Sequence, residues 1–345
     1  MNARLIRQIT LVVTVLSLPA SFCLAGGLYP IEQNKKWGYI DARSNVVIQP
    51  TYDRVEPFSE DLALVHRDKE FGFINEKGVM TIKLSYDDAG SCHEGRARVF
   101  QKEGLIGGKH GYIDQEGKVI VPPKYDDAGQ FNDGRARVKI DGKWGYIDKS
   151  GVVCIKPQFD DAADFSNGLA RVKAGGAWAG KTGYIDVNGK MVINPKFDSC
   201  ADFCDGLAGV QLEGKWGFIN TSGTVVIEPQ FSEVGSCTEG LAPVRVGTSI
   251  GSKFGFVNKS GKMVINPQYD AARSFQQGRA AVKLNGQWGY VEKDGQEVIK
   301  PTFDEAMDYS SDMIAMVKID GKSQYVDAKG KTIWPLSNEA VTHRE

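Results

Sequence analysis

The chain has 345 residues, a formal net charge of −1, and 41% apolar and 25% charged residues. That balance fits a soluble globular protein with a sizeable core. It argues against nucleic acid or anionic membrane as a general partner, since both call for a marked basic excess. Glycine alone stands out, at 40 of 345 residues against about 7% in typical domains, which points to many tight turns and so to many short strands.

The first element reads as a secretory signal. Arg4 and Arg7 form a positive start, and an apolar run from Ile9 to Leu18 is broken by Pro19. Cys23-Leu24-Ala25 then places small residues where a signal peptidase cleaves, after Ala25. The run is too short to span a bilayer, which disfavours an N-terminal membrane anchor, and nothing later in the chain resembles it. Cys23 lies at the depth of a lipid-attachment site, but the bulky Phe22 before it disfavours that lipoprotein reading. The expectation is an exported protein, periplasmic or secreted, with a signal peptide over 1–25, a repeat domain over 26–336 and a tail over 337–345. Five cysteines remain after cleavage, Cys92, Cys154, Cys200, Cys204 and Cys237. An odd number without regular spacing is not a disulfide framework, and a Cys200–Cys204 pair is left open.

From residue 28 onward one unit recurs. Lys143-Trp144-Gly145-Tyr146-Ile147-Asp148 returns as Lys215-Trp216-Gly217-Phe218-Ile219-Asn220, and variants of the block are spread along the chain. Its glycine stands at 38, 72, 111, 145, 183, 217, 255 and 289, with Gln324 in a ninth, degenerate copy. Spacings alternate between short and long, because extra residues enter repeats three, five and seven just before the motif, over 103–108, 174–179 and 247–252. A duplicated two-repeat unit explains the alternation, and insertions confined to one loop mark one edge of the array.

Repeat four shows the elements in order. Arg135 to Ile140 is a first strand, and Asp141-Gly142 is a two-residue hairpin turn. Lys143 to Asp148 is a second strand, followed by a turn at Asp148-Lys149-Ser150-Gly151. Val152 to Ile155 is a third strand, which Pro157 ends by removing a ladder donor. Phe159-Asp160-Asp161-Ala162 then leads through a loop to the next repeat, and Cys92 and Cys237 fall in slots that other repeats fill with Phe, which makes them small core residues rather than reactive thiols. Alternation gives the faces. Ala and Val recur at one parity of every first strand from the second repeat on, as in Ala136/Val138 and Ala170/Val172, so that face is tightly packed. The other parity varies and is the place where specificity would reside. Trp144 and Tyr146 share one face of the second strand, and a lone meander cannot bury them, so each unit must lean on its neighbours.

These blocks resemble the WG (or KWG) repeat family of bacterial proteins over residues 28–335. The shared pattern is Gly-Lys-Trp-Gly-Tyr-Ile-Asp, a turn, Val-Ile-x-Pro, Tyr/Phe-Asp-x-Ala and Phe-x-x-Gly-Leu-Ala-x-Val. The resemblance implies a β-rich repeat array with a binding or surface-associated role, and it brings no enzymatic activity and no catalytic residues. The chain is therefore expected to be all-β, with nine tandem repeats of three-stranded antiparallel meanders. No blade is visibly shared between the two termini, and nine exceeds the usual four to eight blades of a propeller. An open, curved β array is the first expectation and a propeller-like ring the alternative.

No cofactor or metal ligand set is legible. His66, His93, His110 and His343 lack metal-ligand spacing, and no nucleophile has a recognisable setting. The acidic ladder of Asp53, Asp87/Asp88, Asp126/Asp127, Asp160/Asp161, Asp198, Asp270 and Asp304/Glu305 reads as turn capping rather than as Ca²⁺ ligands or a catalytic pair. Arg96, Arg98, Arg135, Arg137 and Arg171 stand at the variable parity of three consecutive repeats. They form either a basic stripe for carboxylates or phosphates or ion pairs with the aspartates of their own repeats. Trp178, inside an insertion, is a candidate exposed contact. The expected function is a non-enzymatic exported scaffold that binds another protein or a cell-envelope component. Carbohydrate or peptidoglycan binding is the alternative, and a glycosidase-type hydrolase a remoter one.

Overall fold

The computed structural model describes residues 27–335 except 69, 106, 175–179 and 248–250. The signal segment, the tail and Trp178 lie outside the described residues.

Nine small antiparallel sheets follow one another along the chain, and no helix interrupts them among the described residues. We call them blades 1 to 9, spanning 28–52, 54–84, 88–125, 127–159, 161–197, 199–231, 233–269, 271–303 and 305–334. Blade 5 is representative. A short strand, Asp161–Ala162, pairs with the first long strand, Leu169–Ala174. The second long strand is Lys181–Asp186 and the third is Met191–Phe197. The three-stranded meander expected from sequence is thus completed by a fourth strand in blades 2 to 9. The Asp-x-Ala segment that was read as a return loop supplies it, and it belongs to the blade that follows.

The local chemistry is that of the sequence. Asp141 and Gly142 both take positive φ, 51° and 78°, as the tight hairpin twist demands. Asp148 Oδ1 accepts the amides of Ser150 and Val152 and so shapes the next turn. The proline does not end the third strand. In blade 4 that strand runs Val153–Phe159, with Tyr146 opposite Ile155 and Trp144 opposite Phe159, so the proline sits in a bulge. The bulge presses the third-strand backbone onto the motif glycine. A Cβ on Gly145 would lie 2.5 Å from the Ile155 oxygen and 2.6 Å from the Pro157 nitrogen.

Each core lies between two blades. Trp144, Tyr146, Ile155 and Phe159 of blade 4 pack on Ala162, Phe165, Ala170, Val172 and Ile185 of blade 5. Tyr184, Ile193 and Phe197 of blade 5 repeat the contact on Phe203, Ala208, Val210 and Ile219 of blade 6. The small Ala/Val face of one blade therefore receives the aromatic face of the blade before it. A ring as fully buried as Tyr146 contributes roughly 4–6 kcal/mol of burial as an upper bound.

The array closes on itself, which corrects the expectation of an open, curved sheet stack. Tyr29, Ile31 and Ile40 of blade 1 form one cluster with Ile314, Tyr325 and Trp334 of blade 9. Tyr29 donates to Asp312 at 2.8 Å and shares a hydrogen bond with Ser310, and Tyr325 donates to the Pro30 carbonyl at 2.8 Å. The result is a nine-bladed β-propeller ring. A shared sheet is the closure the sequence analysis considers, whereas side-chain packing and side-chain hydrogen bonds join the described ends.

Candidate functional site

The ring has two faces. Antiparallel topology puts every hairpin between first and second long strands on one face, here the hairpin face. The opposite face carries the turns between second and third long strands.

On the hairpin face a carboxylate clamps one blade to the next at five seams. Asp126 Oδ1 takes Lys109 of blade 3 at 2.6 Å, while Oδ2 accepts the Asp141 amide in the hairpin of blade 4 at 3.0 Å. Asp53 joins Lys36 to the Asp68 amide in the same way, and Asp198 joins Lys181 to the Glu213 amide. Lys143–Asp160 and Lys253–Asp270 repeat the ion pair. The lysine hydrogen bond, with the hairpin amide beside it, holds the carboxyl of Asp53, Asp126 and Asp198 below the usual range. Capping was the expected role of this ladder; the structure adds that the cap reaches into the next blade. In blade 6 the series is broken, for Ser232 stands in the aspartate slot and its hydroxyl donates to the Arg245 carbonyl of blade 7.

Inside the seams the tyrosine of the motif adds a second joint. Tyr39, Tyr112, Tyr146, Tyr184 and Tyr290 each donate to a carbonyl seventeen residues on, in the next blade, at 2.6–2.8 Å. The same rings meet Phe58, Phe131, Phe165, Phe203 and Tyr309 of the next blade. Cys92 and Cys237 fill this Phe position in blades 3 and 7, as the repeat alignment placed them. Burial pushes their thiols up to about 12 and about 11. Cys200 and Cys204 are unbonded thiols.

On the opposite face the turns before the first long strands are linked hand to hand. Glu60 accepts the Gly95 amide, Glu94 the Gly134 amide, Asp133 the Gly168 amide and Asp205 the Gly240 amide. Lys149, Lys259 and Lys293 of the following blades pair with Glu94, Asp205 and Glu239. In the sequence these residues stand only in the loop into the next repeat; that each takes its neighbour's amide depends on how the blades stack.

The five candidate arginines are all found at seams. Arg98 Nη1 donates to the Ala128 carbonyl and Arg137 Nη1 to the Ala162 carbonyl, both at 2.7 Å. Arg137 Nε lies 3.0 Å from Asp164, with its guanidinium 4.9 Å from the Trp144 ring centre. Arg171 pairs with Asp202 at 2.8 Å. Arg96 and Arg135 reach the carbonyls of Lys149 and Val187. Each thus reaches into the following blade, and Arg96 and Arg135 also donate to the Gly95 and Gly134 carbonyls of their own blades. The variable parity is not a free face, because the blades stacked on either side cover both faces of a blade. Burial raises the Asp164 carboxyl, and Arg137 only partly offsets it.

What remains outward and variable is the hairpin face. The three insertions lengthen the hairpins of blades 3, 5 and 7, between Arg96–Lys102 and Gly108–Asp114, between Leu169–Ala174 and Lys181–Asp186, and between Leu241–Val246 and Lys253–Asn258. The described tip of the first holds Leu105, 97% exposed. Among the described residues no three or more His, Cys, Asp or Glu are grouped to hold a metal ion. No described helix is long and apolar enough to cross a membrane.

The WG containing repeat matches the chain eight times, over 37–69, 71–104, 111–144, 144–178, 183–216, 216–247, 254–288 and 288–322. The chain belongs to this family. The WG repeats are thus offset from the blades, each match starting at or beside the motif and running into the blade that follows. A comparison with curated proteins finds no match. Among solved structures the WG ring is similar to a eukaryotic initiation factor, at 11% identity and a TM-score of 0.63 over 89% of this chain and 95% of that one. At that identity the likeness is one of fold alone. The tricorn protease aligns at 11% identity with a TM-score of 0.29, over 86% of this chain and 32% of that chain.

Proposed function

We propose that this WG-repeat ring is an exported, non-enzymatic scaffold that holds another protein of the cell envelope against its hairpin face. The observation that carries the reading is how variation is distributed. Carboxylate clamps, tyrosines and arginines are engaged in joining blades, whereas length varies in three hairpins that all open on one face. A rigid ring with adjustable hairpins is the division of labour expected where loops bind and a framework positions them. Export rests on the signal-like segment over 1–25, and the periplasm or cell exterior is the proposed location.

The test is a pair of ring variants. In one, the three long hairpins are replaced by the two-residue Asp-Gly turn of blade 4, which leaves the clamps intact. Chemical cross-linking in whole cells, read by mass spectrometry, is expected to give the native ring a reproducible envelope-protein partner that the short-hairpin ring loses. Equal capture by both rings rejects the hairpin face. Retention on purified peptidoglycan, with no protein captured, replaces the protein partner by a glycan.

A further inference from the structure

The clamps of the hairpin face differ in which of their parts each seam keeps. A complete clamp has a lysine two places before the motif glycine, an aspartate just before the short strand, and a hairpin amide of the following blade. Asp126 shows why a carboxylate suits the place. One oxygen takes the Lys109 ammonium at 2.6 Å and the other the Asp141 amide at 3.0 Å. Two seams lack the lysine, for Glu70 and Gln287 stand in its position. Their aspartates remain, and Asp87 and Asp304 accept the Lys102 and Gly321 amides at 2.7 and 3.0 Å.

Among the described residues only the seam between blades 6 and 7 keeps the lysine and lacks the acid. Lys215 opens the strand Lys215–Asn220, and Ser232 directly precedes Glu233–Val234. The Ser232 hydroxyl does not stand in for a carboxylate. It donates at 3.1 Å to the Arg245 carbonyl, which the Ser232 amide already bonds at 3.0 Å, and so is turned back on the strand. The amide in the capping position is that of Gly247, three residues beyond Val244. Asp141 and Lys102 stand at the same distance beyond Val138 and Val99, each of these valines facing its motif glycine. Blade 3 also shows that an amide at the foot of a long hairpin reaches this place. Among the described residues the Gly247 amide has no acceptor and Lys215 pairs with no carboxylate. Nearby acids do not fill the part. Glu233 pairs with Arg245 at 3.5 Å. Glu228 follows Ile227 as Lys83 follows Ile82, but it makes no counterpart of the Lys83–Glu70 pair.

We propose that this seam binds the carboxylate of an acidic side chain carried by the protein that docks on the hairpin face. The inference rests on the hairpin-face reading and names the chemistry of the contact. The incoming carboxylate sits as Asp126 sits between blades 3 and 4, one oxygen on the Lys215 ammonium and the other on the Gly247 amide. Both bonds are charge-assisted, and together they fix the orientation of the acid. At five other seams the lysine charge is neutralised inside the ring. Here it is left for a partner, at the foot of the long hairpin of blade 7.

Two measurements test this. The ring, isotopically labelled at its glycine nitrogens, is titrated with sodium acetate at neutral pH and constant ionic strength and followed by nuclear magnetic resonance. The Gly247 amide signal is expected to shift and saturate, whereas that of Gly321, already held by Asp304, stays in place. Lys215→Gln should weaken the response at least about fivefold, since it removes the charge from the contact. Ser232→Asp supplies an internal carboxylate and should abolish the response, and Ser232→Ala should leave it as in the native ring. A Gly247 signal that stays still, or shifts alike in the native and Ser232→Asp rings, overturns the inference. In whole cells the partner cross-linked to the native ring should be lost with Ser232→Asp and kept with Ser232→Ala. Equal capture by the Ser232→Asp ring overturns this site and leaves the hairpin face standing. A native ring that captures no protein defeats the hairpin-face reading instead, and the acetate titration then decides the site by itself.

Discussion

The motif glycine offers the sharpest test of the packing argument, because the ring contains three kinds of glycine with three different reasons to exist. Gly145→Ala puts a Cβ 2.5 Å from Ile155 O, 2.6 Å from Pro157 N and 2.8 Å from Lys156 C. All three are backbone atoms, so no side chain can swing aside, and the bulge itself must move. Overpacking of this kind costs about 1–3 kcal/mol, set against a gain of about 0.4–1 kcal/mol from the stiffer unfolded chain. The net expectation is a loss of about 1–2 kcal/mol. Gly134 has open space where its Cβ would be but sits at φ 75°, so Gly134→Ala loses about 1 kcal/mol to left-handed strain. Gly90 has open space and no positive φ, so Gly90→Ala should be neutral or slightly stabilising. Urea unfolding followed by tryptophan fluorescence ranks the three. Gly145→Ala as stable as Gly90→Ala would refute the claim that the bulged third strand dictates the motif.

Four further outcomes follow from the seams. Tyr146→Phe removes the 2.8 Å bond to the Ala163 carbonyl while keeping a ring that blades 2, 6 and 7 already use, so thermal unfolding should show a loss of about 1 kcal/mol. Asp126→Asn keeps the hairpin cap and loses only an exposed ion pair, at a cost under about 1 kcal/mol, whereas Asp126→Ala also leaves the Asp141 amide uncapped and should cost about 1 kcal/mol more. The clamp carboxyls of Asp53, Asp126, Asp198 and Asp270 are depressed in the folded ring, chiefly by their lysine partners. The stability they add is therefore present above the unfolded value of about 3.9 and lost as pH falls through their lower folded values. Acid titration watched by circular dichroism should show the ring weakening below about pH 4; a ring equally stable at pH 2 contradicts the clamps. Finally, a thiol reagent at pH 8 should modify exposed Cys154 first and spare the buried Cys92, Cys200 and Cys237 until unfolding.

The sequence by itself determined the unit. Alternation of Ala136 with Val138 and of Trp144 with Tyr146, the Asp-Gly hairpins and the self-capping Asp148 turns are local or nearest-neighbour effects, so spacing and residue type are enough to specify them. The Phe slots filled by Cys92 and Cys237 were legible for the same reason. Relations between units were decided only in three dimensions. Whether nine blades spread or close depends on a small rotation accumulated at each seam, which no single repeat encodes. The stacking of blade on blade covered the variable parity, gave Arg98, Arg137 and Arg171 partners in the next blade, and turned single aspartates into clamps across two blades. A face is free or covered according to its neighbour, and the neighbour of blade 1 lies some three hundred residues away in sequence.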